Sequence, residues 1–163
     1  MAKGNHSIDK VRDTQADVQK SIETKKGELS QLEENKSKLL EAGREIQDSE
    51  MDDQAKRTVM DLINKELEAN AEKGDEKSQE MTEDLQKLET SKEEVETMKE
   101  GSAAERQKLE NKKGLLERFG LGGQLDSAIS NMENQETELD NLHQSLIDDE
   151  SELNRISQKL AGL

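Results

Sequence analysis

The side chains able to do chemistry are few in this chain, and their spacing does not bring them together. There are two histidines, His6 and His143, and no cysteine, tryptophan or tyrosine. A transition-metal site or a nucleophile–base pair needs His, Cys or carboxylate groups that converge at short range. His143 has Asp140 and Ile147 at helical spacing, which is not a ligand pair, so it reads as a helix-surface histidine. His6 belongs to a short N-terminal stretch with no partner in sequence. Asp148-Asp149-Glu150 lacks the Asp-x-Asp-x-Asp-Gly alternation and closing Glu of a calcium loop, and reads as a solvated face. Carboxylates are so abundant that pairs of them carry no weight as an acid–base couple. The glycines of Phe119-Gly120-Leu121-Gly122-Gly123 follow no strand and lack the Gly-Lys-Ser/Thr of a phosphate loop. They read as a tight reversal. The expectation is a non-enzymatic protein with no cofactor and no metal.

The elements that carry these residues are helices. The chain has 163 residues, of which 39% are charged and 29% hydrophobic, with Phe119 the single aromatic and no proline. That is too little apolar material for a two-layer α/β domain, and it is the composition of long helices. The most regular stretch is Leu125 to Leu163. Steps of alternating three and four land on Leu125, Ala128, Met132, Gln135, Leu139, Leu142, Leu146, Asp149, Leu153, Ile156, Leu160 and Leu163. Ten of these twelve are apolar, which is the seam of a helix built to lie along another helix. This seam supplies the candidate partner-binding residues: Leu125, Met132, Leu139, Leu142, Leu146, Leu153, Ile156 and Leu160. A second seam runs Ile8, Val11, Gln15, Val18, Ile22, Lys25, Leu29, Leu32, Lys36, Leu39, Gly43 and Ile46. Polar breaks such as Gln15, Lys25 and Lys36 fix register or partner choice at a cost in stability.

The pattern predicts four helices, at about 8–47, 52–100, 103–118 and 124–161, behind a flexible N-terminus of residues 1–7. Ser7 is the expected cap of the first, and Asp48 or Ser49 of the second. Residues 70–80 carry almost no apolar side chain, so a bend or mobile stretch is expected there, centred on Gly74. Gly101-Ser102-Ala103-Ala104-Glu105 has the Ser-x-x-Glu capping pattern and predicts a break or kink, with a continuous helix as the alternative. The fold expected is all-α: an elongated antiparallel helical bundle or coiled-coil rod of three to four long helices in a single domain. Two arrangements satisfy the lengths. Either four helices form one bundle, or the second and third form a spine on which the first and last fold back over different halves. The polar patch at 70–80 favours the spine. The lysines of the first helix and the acidity of the last favour placing those two side by side.

Net charge is −15. This disfavours nucleic acid and an anionic membrane surface, both of which attract basic patches. No apolar run approaches the ~20 residues of a membrane-spanning helix. The expected location is cytoplasmic, and any export would use a route without a cleaved signal peptide.

A small, acidic, cysteine-free helical chain that opens Met-Ala and carries a Phe-Gly-Leu-Gly-Gly turn resembles the small helical proteins of type VII (ESX-like) secretion. These include the helical targeting partners of Leu-x-Gly toxins. The resemblance implies helical hairpins that pair with a second helical protein. Here Phe119-Gly120-Leu121 imitates that group's Trp-x-Gly turn without a Trp, and there is no Tyr for its export tail. The function expected is therefore a helical interaction module, an adaptor, chaperone or targeting partner of a secreted effector or toxin. Its partner is another helical protein or a second copy of itself. The alternative is a self-assembling coiled-coil scaffold, such as a phage scaffold or structural protein.

Overall fold

Glu, Lys, Gln, Leu and Ala dominate a chain without proline, so nothing interrupts a helix except glycine and a shortage of caps. A computed structural model describes residues 2–163, with side chains from residue 7 onward. Three long helices pack together: α1 (Ala2–Asp48), α2 (Asp53–Glu117) and α3 (Asp126–Ala161). A short 3-10 turn at Gly122–Leu125 leads into α3. No strand occurs among the described residues.

Several expected boundaries differ. Helix α1 begins at Ala2, so Ser7 lies inside it rather than at its start. The cap of α2 is Asp52, whose Oδ1 accepts from the Ala55 amide at 2.8 Å. Ser49 instead closes α1: its hydroxyl and its amide both donate to the Ile46 carbonyl, at 2.6 and 3.2 Å. The break expected at Gly101 is absent, because α2 continues to Glu117. Ser102 faces Met132 of α3, with its hydroxyl 3.7 Å from the sulfur, and is buried rather than turned back to cap. The expected second and third helices are therefore one.

The contacts divide the chain into two compact units. The first unit comprises Met1–Asp17 and Lys87–Glu150. Its core holds Ile8 and Val11 of α1, Leu88 and Val95 of α2, and Leu139, Leu142 and Leu146 of α3. Helices α2 and α3 run in opposite directions here, as shown by Lys92–Glu150 (2.6 Å), Lys99–Asp140, Arg106–Glu136 (3.1 Å) and Lys113–Asp126 (2.6 Å). The second unit comprises Val18–Gln86 and Ser151–Leu163. Its core holds Val18, Ile22, Leu29 and Leu32 of α1, Ile63 and Met81 of α2, and Leu153, Ile156 and Leu160 of α3. Here α1 and α2 oppose one another through Ser21–Asp84, Lys25–Glu80 and the Asn70 amide on the Leu32 carbonyl (3.0 Å).

The 70–80 stretch differs most from the bend expected there. It is helical, and it is where both other helices close on α2. Asn70 reaches α1, and Ser78 shares a 2.7 Å hydrogen bond with Ser157 of α3. Gly74 is buried because the C-terminal turn of α3 lies on it: an added Cβ would overlap the Leu160 carbonyl oxygen. The spine reading joins the expected second and third helices, as α2 does, but α1 and α3 both reach this stretch instead of parting at it. The polar residues misled because the heptad phase passes through Asn70, Gly74, Met81, Leu88, Ser91, Val95 and Ser102, all buried. Small side chains there admit neighbours in place of large ones that would fill the gap.

Gly74→Ala is expected to lose about 1–3 kcal/mol of stability in urea unfolding, since backbone rather than a movable side chain blocks the methyl group. Gly101→Ala meets nothing within 4 Å and is expected to gain about 0.5–1 kcal/mol.

Candidate partner-binding surfaces

The seam on α3 is the first candidate, and most of it is occupied by the chain itself. Leu139, Leu142, Leu146, Leu153, Ile156 and Leu160 are all buried, five of them at 0–1% exposure in the side of α3 that meets α1 and α2. The N-terminal members Leu125 and Met132 are half-buried, with Met132 against Ser102 of α2. A partner would have to displace α1 or α2 to reach the buried part. The buried seam of α1 follows its expected heptad from Ile8 to Leu32 without a gap.

Polar breaks in the seams meet polar partners. In the first unit the Gln15 amide of α1 donates to Ser145 Oγ at 2.6 Å and to Asp149 Oδ2 at 3.0 Å, so the break on α1 faces the break on α3. In the second unit Lys25 is buried along its stem while its ammonium meets Glu80 and Glu28. Burial pushes its pKa down, but hydrogen bonds to Glu80 and Glu28 outweigh it and leave the lysine raised above its ordinary 10.5. The same hydrogen bond holds the Glu80 carboxyl below its ordinary range. Lys36 donates to the Leu163 carbonyl at 3.1 Å, tying α1 to the chain just past the end of α3. Lys26 meets Glu152 of α3, a further α1–α3 bridge within this unit. These positions fix register: a slip of one residue along a seam separates them all.

No group of three or more His, Cys, Asp or Glu side chains able to hold a metal ion occurs among the described residues. His143 sits on α3 with Nε2 3.4 Å from Glu96 of α2, a two-member contact at a partly exposed site. His6 lies outside the described side chains. No helix among the described residues is long and apolar enough to cross a membrane.

The turn residues form the second candidate. Helix α2 ends with the Leu121 amide bonded to the Leu116 carbonyl (2.9 Å) and the Gly120 amide to the Glu117 carbonyl (3.1 Å). Gly120 takes the left-handed conformation at φ 73°, so this is a Schellman ending, with glycine at the position where a Cβ is penalised. Gly122 is buried against that ending: a Cβ there would overlap Glu117 Cγ and lie 3.3 Å from the Lys113 carbonyl. Gly123 has only Asp126 Oδ2 near it, at 3.8 Å. The fold thus holds Phe119 and Leu121 outward rather than plugging them into the bundle end, as their apolar character suggests. Phe119 is 74% exposed, Leu115 is 60% and Leu121 is 43%. The α1–α2 connection has a counterpart set in Leu40, Met51 and Leu62, the last 58% exposed. Exposure of this second set was not legible in the seam pattern, because it depends on where α3 ends.

The chain matches no model of a known family, no curated protein and no solved structure. What stands is the class: an all-helical bundle of three packed helices.

Leu146→Asp, which puts a carboxylate into a fully buried position, is expected to cost at least about 3 kcal/mol and to remove the cooperative melt followed by circular dichroism. Gln15→Leu is expected to lose about 1–3 kcal/mol in the same assay, because it removes the buried amide that bridges α1 to Ser145 and Asp149 of α3. The raised Lys25 stabilises the fold in full below 10.5, and that contribution falls away as pH rises through its higher folded value. Lys25→Met is therefore expected to flatten the loss of melting temperature with pH in that alkaline window.

Proposed function

We propose that the chain is a non-enzymatic protein-interaction module, an adaptor or chaperone built as an antiparallel three-helix coiled coil. It presents its inter-helix turns, and not its leucine seams, to other proteins. The observation that carries this reading is the distribution of exposed apolar groups. The seams are covered by the chain's own helices, while the large apolar side chains left exposed cluster on or within about three helical turns of the two connections. Exposed apolar groups gathered in this way are the ordinary mark of a contact surface. The fixed Schellman ending adds preorganisation, because Phe119 and Leu121 are held by backbone hydrogen bonds and little order is lost on docking. A helical protein that accompanies a secreted effector or toxin is the partner class that the resemblance to type VII secretion proteins suggests.

The test is retention of a protein partner on the immobilised full chain, repeated with the purified pair. Phe119→Ser/Leu121→Ser is expected to lower affinity at least about tenfold, with the circular dichroism melt unchanged. A partner retained equally by the variant, or no partner retained by the native chain, would overturn the reading.

A further inference from the structure

The two connections differ in charge as sharply as they agree in apolar exposure. Residues 106–126, around the α2–α3 turn, carry five basic side chains (Arg106, Lys108, Lys112, Lys113, Arg118) against three acidic ones. This is a positive island in a chain of net charge −15. Arg106 and Lys113 are spent on Glu136 and Asp126, but Lys112 and Arg118 are exposed and form no ion pair among the described residues. They flank the exposed Leu115 and Phe119. The equally long stretch 41–61, around the α1–α2 connection, carries seven acidic residues against three basic ones. Of those three, Lys56 is drawn onto the Gln47 carbonyl at 3.0 Å. Asp48, Glu50 and Asp53 are exposed and likewise form no ion pair, and Met51 stands exposed among them.

We infer that the basic, apolar α2–α3 turn of one copy docks on the acidic, apolar α1–α2 connection of a second copy. The occupant is set by complementarity. The island needs an acidic surface that also offers apolar side chains, and the α1–α2 connection supplies both. The remaining acidic faces of the helices place their large apolar residues inward, so they match the charge without the apolar contact. An anionic lipid surface would meet the charge of the island but would repel the other acidic stretches of the chain. The contact joins two different surfaces, so a docked pair retains one free surface of each kind. Such head-to-tail contacts either close into rings or continue as chains. Three apolar side chains on each face make a small interface, so the association is expected to be weak and concentration-dependent. This inference rests on the proposed role of the turns, and it names one partner for them.

The experiment is sedimentation velocity and light scattering of the full chain over a wide concentration range. The native chain is expected to grow in mean mass with concentration. Lys112→Glu/Arg118→Glu and, separately, Asp48→Lys/Glu50→Lys are each expected to weaken association at least about tenfold, because like charges then face each other. All four positions are exposed, and circular dichroism melts check that the fold is kept. An equimolar mixture of the two variants is expected to restore association, since each then offers the surface the other needs. Phe119→Ser is expected to weaken association in the same assay with its melt unchanged. A native chain that stays monomeric throughout, variants that associate like the native chain, or a mixture that fails to restore association would each overturn the inference. Monomeric behaviour with a protein partner still lost on Phe119→Ser/Leu121→Ser would overturn self-docking alone and leave the proposed function standing.

Discussion

Each helix has one narrow row of apolar side chains and little else to bury, so every row must be filled by the other two. Burial of aliphatic side chains at roughly 25 cal/mol per Å² is the main favourable term for such a chain, and there is no aromatic in the core to enlarge it. The rows are unequal. Among the described residues, α1 and α3 bury six large apolar side chains each and α2 buries four. Helix α2 makes up the difference by being thin. Gly74, Ser91 and Ser102 occupy its seam, and α3 comes close enough at Gly74 for the Leu160 carbonyl to sit where a Cβ would be. Close approach recovers contact that larger side chains would otherwise supply.

Seams of aliphatic residues specify partners loosely, because any register that keeps the heptad buries similar area. The polar breaks remove that freedom. Gln15 finds Asp149 and Ser145, Lys25 finds Glu80, Asn70 finds the Leu32 carbonyl, and Lys36 finds the end of α3. Each pairing would leave a polar group unsatisfied if the helices slid. The outer ion pairs add a weaker bias of the same kind. Lysines of α1 meet acids of α2 and α3, as in Lys10–Glu94 and Lys26–Glu152, which partly offsets the self-repulsion of a strongly acidic chain.

The same economy decides what is left for partners. Within each unit the helices close their own seams, and the stretches next to the turns leave apolar side chains uncovered. Leu40, Met51 and Leu62 beside one connection, and Leu115, Phe119 and Leu121 at the other, are the remainder. In the α2–α3 turn the Gly120 conformation and the close approach of Gly122 to α2 hold the backbone in one shape. A rigid loop that keeps the single aromatic of the chain in water is costly for stability alone and is more easily understood as a surface for binding.

By itself the sequence determined the helical class, the heptad rows of α1 and α3, the polar breaks within them and the glycine turn at 120–123. These are local: composition favours helix, and a period of 3.5 records which side faces a neighbour whatever that neighbour is. Only the tertiary structure decided that the neighbour of the α3 seam is the chain's own α1 and α2. It also decided that α2 runs unbroken through Gly101, and that residues 70–80 are helical and closely packed at Gly74 rather than a bend. The reason is physical. A serine or glycine on a seam looks the same in sequence whether it ends a helix, loosens it or admits another backbone. The outcome depends on what arrives from elsewhere in the chain: Met132 at Ser102, and the last turn of α3 at Gly74.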